Sequence, residues 1–83
     1  MIIIKHRVNT INSLKKIDQK YGIEIDIRSK NKKLILHHDP FKKGPNLDVF
    51  LKYYRHKFLV ANIKEEGLEY IFIESLKKNK IKN

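Results

Sequence analysis

There is no cysteine among the 83 residues, so neither a disulfide staple nor a thiolate zinc site is available. Long hydrophobic runs are missing too, and no stretch approaches the ~18 apolar residues that a membrane-spanning helix requires. The opening Met1-Ile2-Ile3-Ile4-Lys5-His6-Arg7-Val8 reaches charge too soon for a secretory signal, and a cytoplasmic protein is expected. Glycine and proline are sparse, three and two residues, and nothing resembling a linker divides the chain. Acidic residues are in the minority, nine against nineteen Lys and Arg, which gives a formal charge of +10. An excess of that size invites a polyanionic partner. The lysines are scattered, however, apart from Lys77, Lys78, Lys80 and Lys82, and Ile and Asn are abundant as well. Most of the lysines therefore read as solvated faces, and nucleic acid as the less favoured partner.

What is present is an alternation of short apolar runs and helical patterns. Residues 2–5 form an apolar run that leads into His6, as a buried parallel strand would. Asn9 or Thr10 can cap a helix carrying Ile11, Leu14 and Ile17, with Gly22 as its left-handed end. Residues 23–28 read as the second strand, 29–32 as a polar turn, and Leu34-Ile35-Leu36 as extended structure stopped by Pro40. Phe41 to Pro45 reads as a loop. Asn46 caps a helix with Leu47, Phe50, Leu51 and Tyr54 inward. Lys57 to Ile63 reads as the third parallel strand, and Gly67 opens a last helix with Leu68, Ile71, Phe72, Ser75 and Leu76 inward. The order β-α-β-(β)-α-β-α, with helices of ten to twelve residues, predicts an α/β fold with a parallel sheet.

Chemistry concentrates at the strand ends. Glu24 and Asp26 stand two apart within Gly22-Ile23-Glu24-Ile25-Asp26-Ile27, so both carboxylates share one face while the isoleucines take the other. Like charges about 6–7 Å apart repel, and a hard divalent cation would relieve them. The bland reading of the same pair is a solvated edge face balanced by nearby lysines. His6-Arg7 follows one apolar run and His38-Asp39 another. Arginine offers a planar fork for phosphate oxygens, and Asp39 can fix the tautomer of His38. A histidine at a strand end is, on its own, more often a structural hydrogen-bonding residue than a catalyst.

In this order, His6-Arg7, Asn9-Thr10, Glu24-x-Asp26 and His38-Asp39 resemble the start of the glycerophosphodiester phosphodiesterases. Those are (β/α)-barrel hydrolases of lipid metabolism that cleave glycerol-linked phosphodiesters with a divalent metal. The resemblance spans nearly all of the chain but only about the first third of such a barrel, which needs ~250 residues. It implies a truncated TIM (β/α)8 barrel over residues 1–76, followed by a basic tail over 77–83. It assigns Glu24, Asp26 and Asn62 to Mg²⁺ or Ca²⁺, Arg7 and Lys64 to the substrate phosphate, and His6 and His38 to proton transfer. Two features depart from the family pattern. A glutamate is usual before the Asn-Thr pair, whereas Val8 stands directly after Arg7 on a shortened loop. Asn62 occupies the place of a third acidic ligand, which weakens the expected metal affinity, and Glu65 falls on the wrong face to replace it. The expected protein is therefore an incomplete phosphodiesterase, weakly active or inactive alone, completed by self-association or a partner chain. The alternative expectation is a small basic binding module for polyanions or a protein partner, in which Arg7, Lys64 and the lysine tail matter.

Overall fold

Isoleucine alternates with polar residues over 22–30, and the strand this produces carries the rest of the molecule. The computed structural model describes residues 3–30, 33–39 and 43–81. Within them the elements are β1 (Ile4–Lys5), α1 (Ile11–Lys16), β2 (Gly22–Lys30), β3 (Lys33–Leu36), α2 (Leu47–Leu51), β4 (Phe58–Ile63) and α3 (Glu69–Lys78). The fold is α/β with a mixed four-stranded sheet. β2 pairs in parallel with β1 on one edge and with β4 on the other, and antiparallel with β3. Because β4 spans Gly22 to Ile27, β1 and β3 must share the opposite edge of β2, one at each end. The sheet is thus not purely parallel, since β3 pairs back on β2 with Lys33 opposite Lys30, only three positions on.

Ile23, Ile25 and Ile27 are completely buried on one face, packed with Leu14, Leu36, Leu47, Phe50 and Leu51. At ~1.5–3 kcal/mol for each fully buried aliphatic side chain, this face dominates the stability of the fold. The phenol of Tyr54 joins the same core, and burial pushes its pKa up to about 12. Asn46 caps α2 as expected, its Oδ1 accepting from the Asp48 and Val49 amides, and Leu47, Phe50, Leu51 and Tyr54 are buried.

Several boundaries differ from the sequence reading. The helices have six, five and ten residues, shorter than expected for the first two. Of the two caps the sequence allows, Thr10 is the one used for α1, but the helix stops at Ile17, where the backbone becomes extended. An Asx turn explains the stop: the Asp18 carboxylate accepts from the Lys20 amide at 2.9 Å and offers the backbone an alternative to helix. Gly22 is consequently not a helix terminus but the first residue of β2. It is wedged between two strands, where an added Cβ would lie 3.1 Å from Phe58 Cβ and 3.2 Å from Ile4 Cγ1. Ser29 and Lys30 belong to β2 rather than to a turn. Ile71 points outward, 47% exposed, while Phe72 is buried. α3 runs through Lys78, and the Ile81 amide bonds back to Leu76, so part of the expected tail is folded. Met1, Ile2, Asn31, Lys32, Pro40, Phe41, Lys42, Lys82 and Asn83 lie outside the described residues, as do the expectations that fell on them.

Candidate functional site

The edge of β2 shared by β1 and β3 has a gap between them, beside Asp26. Val8 continues β1 by donating its amide to the Glu24 carbonyl at 2.8 Å, and His37 donates to the Asp26 carbonyl at 3.2 Å from the β3 side. Between them the Asp26 amide has no strand to pair with. The Asn9 side chain takes the place of a peptide group: its Oδ1 accepts from the Asp26 amide at 2.8 Å, and its Nδ2 donates to Asp26 Oδ2 at 2.9 Å. Asn9, noted from sequence as a helix cap and as part of the Asn9-Thr10 pair, therefore fixes the carboxylate. Nothing in local periodicity signals this, because the partners are seventeen positions apart.

Asp26 is 1% exposed. Its Oδ1 is buried without a hydrogen bond, and the Lys64 ammonium lies 3.5 Å away as an ion-pair partner. Lys64 is held there by the sheet, its amide extending the β2–β4 ladder to the Ile27 carbonyl. Asn62 is the register partner of Asp26 on β4, so the two share a face, and its side chain is exposed. Glu24 lies on that same face, and its Oε1 stands 3.4 Å from His6 Nδ1. The His6 ring is largely in solvent, whereas Glu24 is mostly covered.

Arg7 follows His6 with φ 53°, a left-handed conformation that a non-glycine residue adopts at a cost of about 1–3 kcal/mol. The Asn9 amide bonds back to the Arg7 carbonyl and closes this turn. The Arg7 side chain is exposed. On the β3 side, His38 Nδ1 lies 3.1 Å from Asp39 Oδ1, and the His38 carbonyl accepts from Arg28 Nε and Nη2 at 3.2 and 2.7 Å. Arg28 continues the Glu24–Asp26 alternation by two residues, so it tethers the His38 segment to the same face. Its place in that alternation was the available signal, although sequence reasoning did not single it out. His37 Nδ1 accepts from the Asp39 amide and stays within its own turn.

Glu65 is turned away from the group. Its carboxylate accepts from both the amide and the hydroxyl of Ser29, at 3.1 and 2.7 Å, and these bonds hold its pKa below the ordinary carboxylate value. The fourth histidine, His56, is a core residue: its buried Nε2–H donates to the Ile17 carbonyl at 2.8 Å.

Two carboxylates and one amide oxygen on a shared face form a donor set that suits a hard cation, and the unbonded Asp26 Oδ1 is an atom such an ion could satisfy. Among the described residues, however, no three His, Cys, Asp or Glu side chains cluster closely enough to hold a metal ion. The third donor has to be the Asn62 amide, and Lys64 competes for Asp26. A groove of about 290 Å³ between β3, α2 and α3 is lined by none of the candidate residues, so it does not enclose them. No helix among the described residues is long and apolar enough to cross a membrane. Compared with known proteins, the chain matches no family model, no curated sequence and no solved structure.

Proposed function

We propose that this chain contributes one wall of a metal-assisted phosphodiesterase site of the glycerophosphodiester type. The observation that carries the reading is the grouping of His6, Glu24, Asp26 and Lys64 around one stretch of β2, with a buried carboxylate at its centre. Glu24, Asp26 and Asn62 would hold Mg²⁺ or Ca²⁺. Such an ion supplies electrostatic stabilisation of charge on the phosphodiester oxygens. Glu24 beside His6 Nδ1 favours the tautomer that keeps a proton there, leaving the opposite ring nitrogen to accept one from water. Asp39 stands in the same relation to His38, and there the carboxylate would stabilise the imidazolium, whose far N–H would protonate a leaving alkoxide and leave the neutral ring. Arg7 and Lys64 supply positive charge for the phosphate.

The Asp26–Lys64 pair also favours a second reading, a non-catalytic basic module, because it neutralises the buried carboxylate without any metal. Thermal unfolding with and without Mg²⁺ or Ca²⁺, alongside release of the alcohol from glycerophosphocholine, separates the two. A cation at 100 times its dissociation constant should stabilise the native state by about 2.7 kcal/mol, and Glu24→Ala with Asp26→Ala should abolish that response. Equal cation binding by parent and double variant would show the ligand assignment to be wrong.

A further inference from the structure

The opposite end of the sheet has a different chemistry. Both crossover segments that enter parallel strands, residues 17–21 before β2 and 52–57 before β4, come together there. The Lys57 amide donates to the Tyr21 carbonyl, and His56 bonds the Ile17 carbonyl across the same junction. The first segment and the end of α1 bring Lys15, Lys16 and Lys20. The second brings Lys52, Arg55 and Lys57, and Lys5 reaches in from β1. All seven are exposed. The one acid in these segments, Asp18, is occupied as the Asx acceptor for the Lys20 amide. The other acids belong to other elements, so these segments carry a strong excess of positive charge.

Aromatic rings are interleaved with these cations. Lys5 and Lys20 lie 4.8 and 5.2 Å from the Tyr21 ring centroid, and Lys15 lies 4.5 Å from that of Tyr53. Contacts of this kind hold the ammonium groups near the sheet end and lower the entropy of ordering them on a ligand. Tyr53 is 46% exposed at this end, which leaves ring surface for another planar group.

We propose that this end binds single-stranded nucleic acid through its phosphates, with a base stacking on Tyr53. Backbone-tracking cations combined with exposed aromatic platforms are what sequence-tolerant strand binding needs. A duplex would engage the cations but not the rings. The proposal is independent of the phosphodiesterase reading, because it uses no residue of the Glu24–Asp26 group.

Fluorescence anisotropy with a labelled twelve-nucleotide oligouridylate tests it. Binding should weaken steeply with salt, with a log–log slope of about −3 if four or five phosphates are neutralised. Lys20→Glu with Lys57→Glu should weaken binding more than tenfold. Lys30→Glu with Lys77→Glu changes net charge equally but elsewhere, and should cost less than threefold. Tyr53→Ala should lose about fivefold or more. Circular dichroism confirms folding, and Lys15→Glu with Lys52→Glu serves as a second pair should the first unfold. Equal losses for the two charge pairs would reduce the effect to net charge and overturn the site. Absence of binding at 50 mM salt would overturn it as well. So would tighter retention on phosphatidylserine-containing vesicles with release by the same variants, which would identify a membrane-facing surface instead.

Discussion

Replacing Asn9 with alanine removes a side chain that acts as a piece of missing strand, and the cost can be worked from its two bonds. One is the Nδ2 donation to the buried Asp26 carboxylate at 2.9 Å, the other the acceptance of the Asp26 amide at 2.8 Å. A hydrogen bond to a charged group contributes ~1.5–3 kcal/mol, and a buried amide left unsatisfied costs ~1–3 kcal/mol. The space vacated by the amide admits water to a site near the edge of the sheet, so the lower ends of both ranges apply, and the sum is about 2.5 kcal/mol. For a domain of this size that corresponds to a fall of roughly 10–20 °C in Tm. Urea titration followed by far-ultraviolet circular dichroism should show a lower midpoint with an unchanged slope. Asp26→Asn should cost less than Asp26→Ala, because the amide oxygen still accepts from Asn9, although that bond is no longer to a charged group and the Lys64 attraction is lost. A double-mutant cycle between Asn9→Ala and Asp26→Ala should return a coupling of about 1.5–3 kcal/mol. A change below about 0.5 kcal/mol for Asn9→Ala would refute the reasoning, since the carboxylate would then have no need of its partner.

Three further outcomes follow from the same geometry. The Glu65 pKa is depressed below its ordinary value of 4.5 by the two Ser29 bonds, so its contribution is complete above that value and lost as pH falls through the lower folded one. Glu65→Gln should therefore flatten the acid limb of stability against pH, measured by urea midpoints between pH 7 and 3. Gly22→Ala should destabilise by about 1–3 kcal/mol, because Phe58 and Ile4 both stand within 3.2 Å of the new methyl; a neutral effect in thermal melts would mean that β1 moves freely. The outer edge of β4 pairs with no strand among the described residues, and such edges recruit other chains unless blocked. Sedimentation at micromolar concentration and moderate salt should show a dimer, and a compact 10.0 kDa monomer would contradict this.

The core was legible because its signals are local. Ile23, Ile25 and Ile27 alternate with polar residues, and Leu47, Phe50, Leu51 and Tyr54 repeat at helical spacing, so both buried faces follow from period alone. Element ends were less legible where a side chain competes with the backbone. Asp18 looks like an ordinary helix residue until its carboxylate is seen bonding two residues on, and that bond is why α1 is six residues long. The orientation of β3 was hidden for another reason: an apolar triplet fits parallel and antiparallel pairing equally, and the pairing of Lys30 with Lys33, three positions on, decides between them.

The candidate site divides along the same line. Placing Glu24 and Asp26 on one face needs only the two-residue period of a strand, and the neighbourhood of His6 and Lys64 follows from parallel pairing of β1 and β4 with β2. What sequence could not provide is how the charges are balanced. A repelling acid pair suggests a cation, but folding supplies Asn9, Lys64 and His6 to the same carboxylates, each from a different element. The repulsion that motivates a metal is thereby partly relieved by the protein itself. A cation entering this site would have to displace the Lys64 ammonium from Asp26 Oδ1, whereas a phosphate would be drawn to the ammonium where it stands. Anion binding and metal binding are thus opposed at Lys64 in the free protein, and they become mutually supporting only if the lysine swings from the carboxylate to the phosphate as the metal arrives.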